Sequence, residues 1–544
     1  MRLRLMLGIL ALVVLLVGTV LLASPYAPVV GAFRPIEEIW AIEDERVMSE
    51  IPLVTALSNH NVPLAYDAQQ NTFYCTLGLD HGGEWPDIHL TAPGASGITL
   101  CFTDDYTFDS CDTAIREGYP YEIMAYTDEA YAYCYIVFTG LPIVTLYAQE
   151  EITTVDTPAS VCIFQQGDAL LEGPARVHLR GDGSLAWLSK KGYKVEFTRT
   201  TDGQKKTFCD VPGIGMTDDL LLLAMGFDET LMRDRLSWEM AALIWPEVEA
   251  FSARPVHYAE LFVNDSYEGV YLLTTPYDIE SEMEKASTLA PVADSLYRTA
   301  VPEMIKDRPI YKNYELFHAP DMQNGFFDLQ PYLELRETQE DEEFVRLAED
   351  RLDIHSLLRY TLLVQAMALS DNINNNMYIW AHHGAKGLRY GFALWDMDLS
   401  WDKDPGVNMD YWFTDPVMDR VIGLDVEGAR VQLRDQWQAM RERGFTAETV
   451  EEKTAQYVHE LTDSGAFVRD AQRWQKETQW PDAFPIVSCA QIRFDLLDRL
   501  TQALCSGAED FSFASYYVEG ASHIAPMLDM VNALESGQDA AQVQ

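Results

Sequence analysis

Four polar residues in the second half of the chain have the types and spacing of a divalent-cation site. Asp371 and Asn376 lie five apart in the run LSDNINNNMYIW (369–380), and Asp396 and Asp398 follow in FALWDMDLSW (392–401). Carboxylate and amide oxygens are hard ligands that suit Mg2+. If a strand continued through Asp396 and Asp398, both carboxylates would share one face beside apolar Trp395 and Leu399. They would then repel one another unless a cation compensated. A second constellation lies upstream, where Arg180-Gly181-Asp182-Gly183-Ser184 precedes Lys190, Lys191 and Lys194. A small-residue loop can approach phosphates through its backbone amides while a lysine supplies charge. The spacing is not that of a P-loop, which requires GxxxxGK[ST]. Each segment also has a plainer reading: Asn-rich runs are commonly turns, and short basic runs are commonly solvated. Eleven histidines and no G-x-S-x-G elbow leave no Ser-His-Asp or Cys-His case to build.

A hairpin must position the acidic residues. Met377–His382 and Leu388–Trp395 have strand character, and the connection His383–Gly387 holds two glycines. Antiparallel pairing brings Asp371 and Asn376, at one end, to Asp396 after the return strand. A carboxylate five residues before an asparagine, then an aspartate after a short hairpin, is the order used in protein-kinase active sites. There the first Asp orients or deprotonates the attacking hydroxyl, and the Asn and later Asp hold metal on the phosphates. Upstream, Pro142–Leu146, Ala175–Arg180, Tyr193–Phe197, Tyr258–Val263 and Gly269–Thr274 read as strands, the last two joined by Asn264–Glu268. Thr230–Ile244, Asp353–Leu369, Val431–Arg443, Thr449–Thr462 and Ala490–Leu504 read as helices. A strand-rich half followed by a helix-rich half predicts an α+β, bilobal enzyme. The chain divides into an N-terminal anchor (1–33), a linker (34–60), a small β-sandwich-like region (61–140), a main domain (141–515) and a tail (516–544), disordered after about 520.

Composition bounds the partners. With 39 basic and 85 acidic residues the formal charge is −46, which repels nucleic acid at long range and excludes it as an expected partner. Arg2 and Arg4 precede an uncharged run from Leu5 to Ala23, whose helical length of about 1.5 Å per residue nearly matches the ~30 Å hydrocarbon core. The positive flank predicts a single-pass signal anchor with the remainder outside the cytoplasm; a cleaved signal peptide, giving a secreted protein, is the alternative. The eight cysteines form no C-x-x-C pair. An outward-facing chain allows disulfides among them, and small buried thiols are the equal alternative. Oligomeric state is not legible.

Five segments in this order resemble the spore coat protein H (CotH) kinase-like family: RGDGSLAWLSKKGYKVEF (180–197), LLLAMGFDETLMRDRL (221–236), YAELFVNDSYEGVYLLT (258–274), LSDNINNNMYIW (369–380) and FALWDMDLSW (392–401). The resemblance covers roughly 141–510. It implies an atypical protein-kinase-like fold, ATP with Mg2+ (or Mn2+), and phosphorylation of Ser on a surface or coat protein. Carried over by position, Asp371 is the catalytic-loop aspartate, and Asn376 and Asp396 bind metal with Asp398 adjacent. Arg180 and Ser184 line the nucleotide loop. Lys191 is the phosphate-contacting lysine, with Lys190 and Lys194 as competitors. Asp228 and Arg233 match a D-x4-R element expected to brace the helix that starts there. Two positions depart from the family: Asp182-Gly183 intervenes before Ser184, where Asn-Ser or Asn-Thr is usual, and Thr275-Pro276 replaces a glutamate near the expected nucleotide hinge. A pseudoenzyme that binds surface partners, and a different nucleotide-dependent transferase on the same fold, are the rival readings.

Overall fold

The computed structural model describes residues 33–536 apart from 81, 201–204, 246–250, 278–294, 301–307, 385–386, 404–407, 478–479, 507–510 and 519–523. The architecture is mixed α+β. Two expectations at the chain ends are corrected. No helix among the described residues is long and apolar enough to cross a membrane, so the single-pass placement has no support in the structure; Leu5–Ala23 itself lies outside the described residues. The tail does not end in disorder at 520: Ile524–Pro526 pairs with Tyr411–Phe413, and helix Met527–Ser536 buries Met527, Met530 and Val531. The last residues, 537–544, are not described.

The expected linker contains a helix, Ile36–Glu45, whose Ile39 and Ile42 pack on Met124 and Tyr131. The region expected to be a small β-sandwich forms a six-stranded mixed sheet. Thr72–Thr76 runs parallel to the long strand Ala130–Thr139, which pairs on its other side with Tyr121–Tyr126. A three-stranded sheet and helix Cys111–Glu117 share the core of Phe73, Phe102 and Phe138. All eight cysteines are free thiols, and Cys75, Cys101, Cys111, Cys134 and Cys489 are buried.

The next segment closes into a seven-stranded barrel. Its order is Ile143–Ala148, Thr157–Gln165, Asp168–Arg180, Gly192–Phe197, Asp219–Leu223, Ser266–Thr274 and His257–Val263, the last lying parallel to the first. Alternating residues fill it, including Val144, Leu146, Val195, Leu220 and Leu261, as the two-residue period of a strand requires. The hairpin expected from Asn264–Glu268 turns at Asn264 and Asp265, both with positive φ (47° and 58°); a type I′ turn needs this, and Asn and Asp tolerate it. Gly269 marks a bulge in the return strand, with φ 92°. A Cβ there would sit 2.2 Å from Asp470 Oδ1, so this glycine admits the carboxylate of a distant helix.

That helix, Ala466–Arg473, bolts the helical half to the barrel through charges that are buried because they are paired. Lys190 Nζ donates to Asp470 Oδ1 at 2.6 Å and to the Val270 carbonyl, and Asp470 Oδ1 also accepts the Val270 N–H at 2.9 Å. Arg469 forms a fork onto Glu260 (2.9 Å to each oxygen) and reaches Thr139 of the N-terminal sheet.

A second, antiparallel sheet carries the acidic hairpin. Its order is Ile310–Tyr311, Tyr314–His318, Ser295–Thr299, Tyr378–Gly384 and Gly387–Ala393. Helix Ile354–Ala366 packs on it, with eleven of its thirteen residues buried. Asp353 caps its N-terminus by accepting the Ser356 N–H at 3.0 Å. Its buried Gln365 exchanges two hydrogen bonds with the main chain of Phe413, which satisfies a polar group that would otherwise be costly there.

Candidate functional site

The long helix ends at Met367, the chain turns through Ala368 (φ 54°), and one helical turn, Asp371–Asn374, follows. Asn376, also at positive φ (56°), donates its backbone N–H to the Thr299 carbonyl at 3.0 Å. Its side-chain amide donates to Asp371 Oδ2 at 2.8 Å, and that of Asn375 donates to the same oxygen at 3.1 Å. The Asp371 carboxylate is therefore held by two amides.

The hairpin pairs in register Tyr378↔Ala393 and Ile379↔Phe392, which sets both of its ends side by side. Buried Asn372 closes the gap, donating to the Trp395 carbonyl at 2.7 Å. The return strand stops at Ala393, and Asp396 takes positive φ (54°). Asp396 and Asp398 therefore do not continue a strand face: Asp396 is exposed and Asp398 half-buried.

Asp234, which the sequence did not single out, completes the cluster. It sits in helix Arg233–Ala242, 3% exposed, and its Oδ1 accepts the Met397 N–H at 3.3 Å. Ser237 from the same helix contacts Ser400 Oγ and accepts the Trp401 indole N–H, both at 2.9 Å. These contacts latch the helix along 397–401. The helix start is set by Asp228, whose carboxylate accepts the Arg233 N–H at 2.8 Å and pairs with its guanidinium at 2.5 Å. The D-x4-R element thus braces this helix as expected.

The electrostatics follow from crowding. Burial first, then the carboxylates of Asp396, Asp234 and Asp371, push Asp398 well above the ordinary carboxylate range. Burial and Asp396 likewise lift Asp234 to about 7, against the Met397 N–H and Arg180. The facing cation is Arg180, at the end of its barrel strand and 5.9 Å from the Trp395 ring. Burial lowers its pKa, while Asp396, Tyr378 and Asp234 oppose that shift. A guanidinium stays charged at any working pH.

The remaining expected residues lie as follows. Ser184 sits in the short helix Asp182–Trp187 and donates to the Arg180 carbonyl at 3.3 Å. Gly181 (φ 97°) must be glycine there, because a Cβ would meet Ser184 Oγ at 2.2 Å. The segment is helical where an open phosphate loop was expected. The three lysines are engaged away from the carboxylates. Lys190 is buried against Asp470. Lys191 donates to the carbonyls of Leu185 and Leu188, capping its own loop. Lys194 pairs with Asp219 on the neighbouring strand at 2.8 Å. Each donates to an acceptor within the chain, and among the described residues Arg180 is a cation beside the acidic cluster. Thr275, at the other departure, accepts from Arg254 at 2.6 Å, and the adjacent Tyr277 hydroxyl donates to the Leu394 carbonyl at 3.0 Å.

Among the described residues no group of three His, Cys, Asp or Glu stands at ligand distance of a common ion. The carboxylates of Asp371, Asp396, Asp398 and Asp234 face one another at Coulombic range instead. The donor chemistry still fits Mg2+ or Mn2+: hard oxygens, with carboxylates outnumbering the Arg180 guanidinium that faces them. Asn376, Asp396 and Asp398 are the expected ligands and would hold the ion, with Asp371 beside them.

The fold is α+β, with an acidic cluster gathered at the end of a hairpin. The family model described as CotH kinase protein matches residues 177–488, more than half of the 544 residues, and the chain belongs to that family. No curated protein matches the chain.

Proposed function

We propose that this protein is an ATP-dependent phosphotransferase that uses Mg2+ or Mn2+ and phosphorylates Ser or Thr hydroxyls on a coat or surface protein, with a kinase-like two-lobed arrangement of barrel and helical half. The observation that carries this reading is the Asp371 carboxylate, pinned by Asn375 and Asn376 and converging with Asp396 and Asp398 opposite Arg180. Asp371 orients the acceptor hydroxyl and takes its proton. The hydroxyl oxygen then bonds to the terminal phosphorus of ATP, and the bond from that phosphorus to the bridging oxygen breaks with its electron pair leaving on ADP. Arg180 stabilises charge on the transferring group from a partly buried position, where such a charge acts strongly. Asn376 fixes the Asp371 oxygen that it bonds, and Asp234 holds Met397 and hence the stretch between Asp396 and Asp398. The metal, when bound, neutralises phosphate charge.

Intact-mass measurement of candidate acceptor proteins after incubation with ATP and either ion tests the reaction class. A phosphoryl increment is expected, and a nucleotidyl increment would replace kinase activity with nucleotidyl transfer. A second reading, partner binding without catalysis, draws on the engagement of Lys190, Lys191 and Lys194 in internal contacts. Acceptors that gain no mass while still binding would favour it.

A further inference from the structure

A cavity of about 420 Å3 opens beside the catalytic loop. Its lining is mixed, with buried Tyr314, Leu333 and Ile373 beside exposed Lys312, Glu337 and Asn374. Ile373 and Asn374 belong to the same helical turn as Asp371. Residues three apart on a helix have their Cβ atoms about 5–6 Å apart, so the cavity begins within one residue-width of the carboxylate that receives the acceptor. Thr299 also lines it, and accepts the Asn376 N–H and the Met377 N–H. The cavity is thus anchored to the reactive loop. An extended polypeptide advances about 3.3 Å per residue, and a space of this volume is roughly 7–8 Å across. A chain whose hydroxyl lies at Asp371 therefore passes over the cavity two to four residues away.

The lining sorts the occupants. The rim charges are already matched: Lys312 pairs with Glu337, and Arg336, which also lines the cavity, pairs with buried Asp415 at 2.6 Å. A charged side chain entering would have to displace a partner. Leu333, Ile373 and Pro416 offer apolar surface among these polar groups. Asn313, Gln339 and Asn374 can hydrogen-bond a peptide backbone crossing the rim. We propose that the cavity is the acceptor-recognition pocket, and that it takes a large apolar side chain, such as Leu or Phe, two to four residues from the phosphorylated hydroxyl. This rests on the phosphotransferase reading for the location of the acceptor, and its test does not need turnover.

The test compares fluorescent peptides with one Ser and a single Leu or Phe placed two to four positions before or after it, against the same peptides with Asn in that place. Binding to the full-length protein is read by anisotropy, and labelling from ATP is read in parallel. Burial of one such side chain gives about ten- to a hundredfold tighter binding. Asn313→Trp and Gln339→Trp, at exposed rim positions, plug the cavity. Each should bring the Leu or Phe peptide down to the affinity that the same variant shows for the Asn peptide. Equal affinities for the two peptides, including no measurable binding of either, or a preference that survives both plugs, overturns the proposal. Plug-sensitive binding without labelling supports the pocket and counts against the phosphotransferase reading. Labelling without a Leu or Phe preference does the reverse.

Discussion

Replacing Lys190 by Met separates a structural from a catalytic role for the basic run. Lys190 is 3% exposed, donates to Asp470 at 2.6 Å and to the Val270 carbonyl, and lies 4.8 Å from the Tyr271 ring. Burial pulls its pKa down to about 8, although Asp470 opposes the shift, so the ammonium is held there at some cost and its partner depends on it. Removing one member of a buried pair costs about 3–5 kcal/mol. Lys476, 3.0 Å from the other Asp470 oxygen, retains part of the compensation, so about 3 kcal/mol is expected. The loss falls on the docking of helix Ala466–Arg473 against the strand Ser266–Thr274, and hydrogen exchange of these two segments is the assay. At 1.4 kcal/mol per decade, about 3 kcal/mol lowers protection there roughly a hundredfold. Adding Asp470→Asn, which keeps an oxygen for the Val270 N–H, should restore most of it. Unchanged protection in Lys190→Met together with lost ATP binding would refute the reasoning and return Lys190 to the phosphate site.

Other outcomes follow from the same structure. Asp396→Asn should melt higher than the wild type in metal-free buffer, because it removes carboxylate repulsion at a positive-φ position that Asn accepts; a lower melting temperature contradicts this. Mg2+ or Mn2+ should raise the melting temperature of the wild type by mass action and fail to raise that of Asp396→Asn/Asp398→Asn, whereas equal shifts would move the metal elsewhere. Burial raises the pKa of Asp419 well above its ordinary value, against hydrogen bonds from Trp412 and Tyr517. Its contribution to stability is full below the unfolded value near 3.8 and falls as pH rises towards the folded one. Asp419→Asn should therefore match the wild type near pH 4 and exceed it increasingly from pH 5 to 8, and a constant difference across that range refutes the assignment. Gly269→Ala should destabilise by about 2 kcal/mol or more in chemical denaturation, since its Cβ collides with Asp470 at positive φ.

The elements that position the site were legible because their patterns are local. The barrel hairpin announced itself by Asn264-Asp265 between apolar runs, and the acidic hairpin by two strands with glycines between them. Helix Ile354–Ala366 lies within its expected span. The nearness of Asp371, Asn376, Asp396 and Asp398 was legible because one hairpin brings them together, a short-range consequence of the sequence. Asp234 was not, because in LMRDRL it looks like any acid flanked by arginines. Its proximity to Asp396 depends on packing of residues 163 positions apart. The engagement of Lys190 and Lys194 was illegible for the same reason: their partners Asp470 and Asp219 lie 280 and 25 positions on, beyond any local pattern. The chain's end misled by composition, since the polar residues after Ser536 obscured the apolar stripe of Met527, Met530 and Val531.

The central claim is that the acidic hairpin facing Arg180 transfers phosphate. The most direct measurement is incorporation of label from terminally labelled ATP, with Mg2+ or Mn2+, by the full-length wild type beside Asp371→Asn and Asp396→Asn, each shown to be folded. The account predicts label with the wild type and at least a hundredfold less with either variant. Equal labelling by all three, or none by a folded wild type with either ion and any acceptor, would contradict it.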